Sequence, residues 1–225
     1  MLVVENLRRL KEEIADTARA CGRKPNDIKL LVISKGVSWE MIALAYNEGY
    51  RDFGENRLQE ALLKIDRAPN DCRWHFVGTL QKNKVKKVVA HFEMIHSVDS
   101  LDLAHAISEA SLEKKMKMSI LLQVNTSGEK SKHGMSPDDC FRNFESIMSM
   151  PGLNVQGLMT MAPLLDDENA IRSTFENLRI LRDQIVTAFL PPQSLPLLSM
   201  GMSHDFKIAI SEGSTMLRIG TKIWS

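Results

Sequence analysis

The sequence predicts an α/β fold: a single TIM-type (β/α)8 barrel with an extra N-terminal helix. Eight short apolar runs alternate with amphipathic segments along the 225 residues. Several of these runs are apolar at consecutive positions, as in parallel strands that are covered on both faces. No linker or break in composition divides the chain, so we expect one domain over 1–225, with the barrel in 28–225. An open, doubly wound sheet is the alternative, because the number of strands alone does not close a barrel.

The extra helix is predicted over 1–22. Leu7, Leu10 and Ile14 recur at helical spacing, charged residues cover the other positions, and Gly22 ends the pattern. These charges also come too early and too densely for the apolar segment of a signal peptide.

The barrel elements follow in alternation. We expect strands at 28–35, 51–55, 73–79, 94–99, 118–125, 153–161, 195–201 and 215–220. We expect helices between them, most clearly at 38–48, 57–66, 100–115, 136–149 and 168–189. Ser38, Ser100 and Ser136 each precede one of these helices, where a serine hydroxyl favours an N-cap.

Composition narrows the class of protein. A net charge of +1 gives no electrostatic reason to expect nucleic acid or an anionic membrane as a partner. Cys21, Cys72 and Cys140 are odd in number and widely spaced, which favours reduced thiols in the cytoplasm. No run approaches the roughly 18 apolar residues that span a bilayer, and the histidines show no metal-ligand spacing. These observations favour a cytoplasmic protein without a metal site, and separately we expect a monomer.

Polar residues gather directly after the apolar runs. In a barrel the carboxyl ends of the strands share one face, and active sites are built there. The residues in question are Lys35, Glu55, Asn56, Thr79, Gln81, Asn125, Ser203, His204, Arg218, Gly220 and Thr221. His75 lies inside a strand, where a hydrogen-bonded core histidine is the simplest interpretation.

Lys35 ends the apolar run "LLVISK", and two interpretations compete for it. Either the strand reaches water there, or the lysine is a reactive amine whose deprotonated form acts as a nucleophile. The turns "SMGMSHD" at 199–205 and "RIGT" at 218–221 combine glycines, hydroxyls and backbone N–H groups that suit a phosphate, although each could be an ordinary turn. Lys35 and the two turns together predict a ligand that is a phosphorylated carbonyl compound, bound to the lysine as an imine. The chemistry leaves a Schiff-base aldolase and a pyridoxal 5′-phosphate (PLP) protein open.

Seven segments, taken in order, resemble the pyridoxal phosphate homeostasis proteins. This family of cytosolic PLP-binding proteins is similar to the N-terminal barrel domain of alanine racemase. The segments are "LLVISK", "FGENRLQEA", "WHFVGTLQKNK", "VNTSGEKSKHG", "GLMTM", "LSMGMSHDF" and "GSTMLRIGT".

The resemblance implies a PLP barrel of fold type III and assigns roles at the rim. Lys35 matches the lysine that forms a Schiff base with the cofactor, and Arg218 matches the arginine that faces the pyridine nitrogen. A guanidinium only donates hydrogen bonds, so that nitrogen must accept and stay unprotonated, which makes the ring a poorer electron sink. The other implied cofactor contacts are Ser203, Gly220 and Thr221 at the phosphate, with Asn56, Ser199 and Met202 nearby.

The resemblance implies a role in PLP homeostasis: storage, buffering or delivery of the cofactor, with PLP-dependent apo-enzymes as recipients and no dedicated catalytic activity. The alternative is an amino-acid racemase of low activity that uses Lys35 as one base. Racemisation requires a proton donor on the opposite face of the cofactor. The racemases take theirs, a tyrosine, from a second, β-rich domain, whereas this sequence ends at "TKIWS", after the eighth strand.

Overall fold

Parallel strands close into a barrel in the computed structural model, which describes residues 2–129, 133–164, 166–191 and 194–225. Each strand pairs with the next along the chain, and the first strand also pairs with the last. The strands are β1 (Lys29–Ile33), β2 (Asp52–Glu55), β3 (Arg73–Phe76), β4 (Met94–Val98), β5 (Met118–Gln123), β6 (Leu153–Met159), β7 (Leu197–Ser199) and β8 (Met216–Ile219). Closure confirms the predicted barrel and excludes the open sheet. Part of the "VNTSGEKSKHG" segment, 130–132, lies outside the described residues.

Helices alternate with the strands, as predicted. They are α1 (Leu2–Ala20), α2 (Trp39–Asn47), α3 (Leu58–Ile65), α4 (Val85–His91), α5 (Leu101–Glu113), α6 (Pro137–Met148), α7 (Glu168–Phe189), α8 (Phe206–Ser211) and α9 (Thr221–Trp224). The hydroxyls of Ser100 and Ser136 cap α5 and α6, as expected. The prediction for Ser38 is wrong in part. Ser38 occupies the N-cap position of α2, but its side chain accepts no helix N–H and is instead hydrogen-bonded to the Glu40 carboxylate in the first turn.

The core has two layers separated by the barrel wall. Strand residues that point outward pack against the helices in the larger layer. A smaller apolar cluster fills the barrel interior and consists of Leu31, Ile33, Met94, Leu121, Met159, Leu197 and Met216. Side chains alternate along a strand, so residues two positions after these also face inward, at the carboxyl-terminal end of the barrel. The inward-facing residues at the ends of the strands therefore lie at the carboxyl-terminal rim.

The predicted N-terminal helix is present as α1. Its apolar face, including Leu7, Leu10 and Ile14, is buried. The Asn6 side-chain amide donates to the carbonyl oxygens of Ile223 at 3.2 Å and Ser225 at 3.0 Å, which ties α1 to the end of the chain. No helix in the described ranges is both long enough and apolar enough to cross a membrane.

Candidate functional site

Lys35 stands at the carboxyl-terminal rim, directly after β1. The strand ladder continues one residue past β1, because Ser34 N donates to Gly54 O at 3.0 Å. Lys35 then begins a turn whose next residue, Gly36, has a positive φ of 71° that favours glycine. The Lys35 side chain is exposed. Its ammonium therefore carries no burial penalty, and its amine is accessible to a ligand above the rim.

A buried ion pair holds the backbone just before Lys35. Glu55, at the end of β2, is fully buried, and Lys64 of α3 donates to its Oε1 at 2.6 Å. Lys64 Nζ also donates to the Ser34 carbonyl oxygen at 2.7 Å, while the Ser34 hydroxyl donates to the same Glu55 oxygen at 2.6 Å. On the other side, the Trp224 indole donates to Ile33 O at 2.6 Å. The backbone that leads to the exposed lysine is therefore fixed on both sides by hydrogen bonds.

Arg218 projects from β8 into the barrel just below the rim. Its guanidinium is 5% exposed and donates to Ser199 Oγ and to the Thr160 carbonyl oxygen, each at 2.8 Å. Burial lowers the pKa of Arg218 to about 10, and the nearby Asp205 carboxylate opposes this shift. The group remains a cation at neutral pH. Its remaining N–H groups are available to an acceptor in the barrel mouth.

The two predicted phosphate turns are joined to each other. Lys222 N, after β8, donates to the hydroxyl of Ser203, after β7, at 3.4 Å. Across the described ranges, the backbone N–H groups of Ser203, Gly220 and Thr221 donate to no protein acceptor. Unpaired backbone donors that converge with hydroxyls form a cradle for an anion. The adjoining helices α8 and α9 are short, so the phosphate site is indicated by the set of unpaired N–H donors and not by a helix dipole.

Close packing and an acidic side chain shape these turns. Gly201 has a φ of 99°, and a Cβ there would lie 2.6 Å from Ala209 Cβ, so only glycine fits. A Cβ at Gly220 would lie 3.2 Å from Ile33 O, so the turn after β8 lies tightly against β1. The buried Asp205 accepts from Met202 N at 2.5 Å. Burial raises the pKa of Asp205, against the opposing effect of that bond and of nearby His204 and Arg218.

The structure places the predicted site residues at different depths. Asn56 is half-buried after β2, and its carbonyl oxygen would lie 2.2 Å from a Cβ at Gly78, so the ends of β2 and β3 approach closely. Met202 is half-buried and Thr221 exposed. Ser199 is fully buried, with its hydroxyl bonded to Arg218. Ser199 therefore supports the arginine from below.

Several residues of the site have no role in the sequence-based prediction. The signal for Lys64 was available, since it follows Leu58 and Ala61 on the buried face of α3. His96 follows Met94 by two positions in β4, which places it inside the barrel. The other residues that the prediction missed are Ser34, Thr160 and Asp205.

The rim therefore combines an accessible amine, a buried guanidinium and unpaired backbone donors on β1, β7 and β8. This set suits a ligand that carries a phosphate at one end, a carbonyl group, and a further hydrogen-bond acceptor. Within the described ranges, no three histidine, cysteine, aspartate or glutamate side chains gather as a metal-binding set. Fold and rim define a (β/α)8 barrel protein with a candidate site for a phosphorylated carbonyl compound.

Comparison with known proteins identifies the family. The model of the family "Alanine racemase, N-terminal domain" matches residues 5–224. A pyridoxal phosphate homeostasis protein of Aquifex aeolicus is 40% identical over 225 residues, which cover 100% of this chain and 98% of the relative. The chain belongs to the pyridoxal phosphate homeostasis proteins, within the alanine racemase N-terminal domain family.

Solved structures agree with this assignment. PipY of Synechococcus elongatus PCC7942, solved with PLP bound, is similar to this chain with a TM-score of 0.85 and 32% identity, covering 99% of this chain and all of PipY. An alanine racemase of Clostridium difficile 630 has a TM-score of 0.75 at 14% identity, covering 95% of this chain and 56% of the racemase. At that identity the likeness concerns the barrel alone.

Proposed function

We propose that this protein binds PLP at the carboxyl-terminal rim of the barrel and serves PLP homeostasis by storing, buffering or delivering the cofactor in the cytoplasm. One observation carries the proposal: two joined turns of unpaired N–H donors stand beside a buried guanidinium, on the same rim as an exposed lysine. The printed names of the relatives, and the PLP in the PipY structure, support the same ligand.

Each part of the rim has a role in this proposal. The N–H groups and hydroxyls of the turns, at Ser203, Gly220 and Thr221, bind the phosphate. Arg218 would donate to the pyridine nitrogen and so leave it unprotonated, since a guanidinium has no acceptor. The amine of Lys35 would hold the aldehyde end of the cofactor covalently, with water as the leaving group. When bound, PLP supplies an electron-accepting ring, and Arg218 limits that capacity.

Holding the cofactor is favoured over racemisation. A racemase requires a second proton donor opposite the lysine. Both tyrosines of the chain, Tyr46 and Tyr50, lie near the end of α2, where the chain returns to the amino-terminal face of the barrel. The Tyr46 hydroxyl donates to Asp71 at 2.8 Å, and Tyr50 lines a cavity at the amino-terminal face. We therefore propose a carrier without dedicated turnover, which acts as a monomer and passes PLP to apo-enzymes.

Absorbance spectroscopy tests cofactor binding. Titration of the purified protein with PLP is expected to produce a visible imine band that saturates at one PLP per chain. Lys35→Ala is expected to abolish the band. Lys114→Ala, which removes an exposed lysine at the end of α5, serves as the control and is expected to titrate like the wild type. A band that survives in Lys35→Ala would contradict the assignment of the lysine.

Transfer and turnover experiments separate a carrier from an enzyme. The loaded protein is mixed with the apo-form of a PLP-dependent enzyme in the presence of a phosphatase that destroys free PLP. A carrier is expected to restore the activity of that enzyme where the same amount of free PLP does not. Chiral analysis of amino acids incubated with the loaded protein is expected to find no change. Racemisation that disappears in Lys35→Ala would support the racemase instead.

A further inference from the structure

A line of polar side chains, half-buried at its last member Asp52 and buried elsewhere, crosses the interior of the barrel from the rim to the opposite, amino-terminal face. Arg218 Nη1 lies 2.8 Å from Ser199 Oγ, which lies 3.1 Å from His96 Nδ1. His96 Nε2 lies 2.9 Å from His75 Nδ1, and His75 Nε2 lies 3.2 Å from Asp52 Oδ1. Side-chain alternation on β2, β3, β4, β7 and β8 turns all five residues inward. We call these residues the interior chain.

The interior chain is unusual for its surroundings. Most of the barrel interior is apolar, although Gln123 of β5 also faces inward, and the two histidines are 3% and 0% exposed. Apolar side chains of similar volume would fill this space without the desolvation that polar groups suffer on burial. Every member of the interior chain nevertheless has a partner, so the network is complete. A fully satisfied polar network rigidifies and orients its members.

The two ends of the interior chain fix its direction when both imidazoles are neutral. Arg218 only donates, whereas the ionised Asp52 only accepts. Burial opposes the ionisation of Asp52, but hydrogen bonds from Arg73 and His75 hold its pKa well below the usual range. His75 Nε2–H then donates to Asp52, and His96 Nε2–H donates to His75. The Ser199 hydroxyl donates to His96 and accepts from Arg218, so all donors point towards Asp52.

We propose that Ser199, His96, His75 and Asp52 are positioning residues for PLP binding, which hold the Arg218 guanidinium in one orientation from the far side of the barrel. The proposal rests on the proposed function, because its effect is on PLP affinity. The anchor is Asp52, which Arg73 fixes through two hydrogen bonds of 2.8 and 2.6 Å at the amino-terminal face. A change at that face is therefore transmitted to the cofactor site along the interior chain.

Nuclear magnetic resonance of the ligand-free protein tests the direction without any cofactor. Nitrogen-15 spectra of the imidazoles distinguish the two neutral tautomers. At about pH 8.5, well above the ordinary histidine pKa, we expect His75 and His96 both to carry the proton on Nε2. A protonated His75 would donate in both directions and place the His96 proton on Nδ1. That result, or an Nδ1–H tautomer of either histidine, overturns the proposed direction.

PLP titration of variants tests the coupling. The hydrogen bond between Ser199 and the charged Arg218 predicts a roughly ten- to hundred-fold rise in the dissociation constant for Ser199→Ala. His96→Leu removes the neutral hydrogen bond that orients Ser199, and we expect a roughly two- to ten-fold rise. His96→Gln is expected to retain most of the affinity, because its amide accepts from Ser199 and donates to His75. A structural role alone would lower the melting temperature of these variants without separating His96→Gln from His96→Leu in affinity.

The most specific comparison is between two aspartates at the amino-terminal face. Asp52→Asn removes the negative charge that anchors the interior chain, while the amide oxygen can still accept from His75, and we expect roughly a three- to ten-fold rise in the PLP dissociation constant, the smaller part of the effect of one charged hydrogen bond. Asp71 also pairs with an arginine, Arg51 at 2.7 Å, but lies outside the interior chain. Asp71→Asn is the matched control and is expected to bind like the wild type. Equal affinities for the two variants overturn the coupling. If the wild type does not bind PLP, the proposed function is overturned. In that case the imidazole tautomers of the ligand-free protein still test the direction of the hydrogen bonds in the interior chain.

Discussion

The buried pair of Lys64 and Glu55 gives a prediction with a built-in comparison. Lys64→Met leaves a fully buried carboxylate without its cation, and the Ser34 carbonyl oxygen without its donor. Breaking a buried ion pair on one side costs about 3–5 kcal/mol. We therefore expect the free energy of unfolding of Lys64→Met to fall by about that amount, along with weaker PLP binding, since Ser34 precedes Lys35.

Urea denaturation measures the effect, and an exposed ion pair provides the control. Lys82 and Asp102 are 2.7 Å apart, close to the 2.6 Å of the buried pair, but their side chains are 60% and 78% exposed, against 11% and 0%. Lys82→Met is expected to cost less than about 1 kcal/mol. The double variant Glu55→Met and Lys64→Met is expected to recover most of the lost stability, because no unpaired charge remains. A loss for Lys64→Met as small as that of Lys82→Met would refute the reasoning.

Three further predictions concern other parts of the fold. Burial and the neighbouring His75 and Arg218 lower the pKa of His96 well below 6.5. Below that pH the unfolded chain binds a proton that the folded chain does not, so the free energy of unfolding falls by up to about 1.4 kcal/mol for each pH unit. Urea titrations across pH 5–7 should show this slope reduced in His96→Gln and retained in a variant of the exposed His105. Gly201→Ala forces a side chain into a positive φ and against Ala209, and thermal unfolding should show a loss of about 1–3 kcal/mol with weaker PLP binding. Asn6→Ala removes two hydrogen bonds to the end of the chain and should cost about 1–3 kcal/mol in urea, whereas an unchanged midpoint would mean that α1 is not fixed there.

The elements of the fold were predictable because they depend on local patterns. Apolar runs marked every strand, but several predicted strands extend too far at their carboxyl ends. The first was predicted over 28–35 and ends at Ile33. The overshoot has a physical cause: the strand ladder continues through Ser34, which pairs with Gly54, and the chain then enters the turn that carries Lys35. Barrel closure was less accessible, since it depends on β1 meeting β8 across most of the chain.

The rim was predictable where a short motif carries the chemistry, and the interior was not. Lys35 and the two turns are visible as local departures from the apolar pattern. The contacts of Ser199 with His96, and of Lys64 with Glu55, depend on the register of strands and the packing of a helix. His75 was expected as a hydrogen-bonded core histidine, and its burial between Asp52 and His96 confirms this.

The central claim is that Lys35 is the residue that binds PLP covalently. Borohydride reduction of the loaded protein converts the imine to a stable amine, and mass spectrometry of the proteolytic peptides locates the phosphopyridoxyl group. The account predicts one modified peptide, which contains Lys35, at a yield that follows the visible band. Modification confined to other lysines, with the Lys35 peptide recovered unmodified, would contradict it.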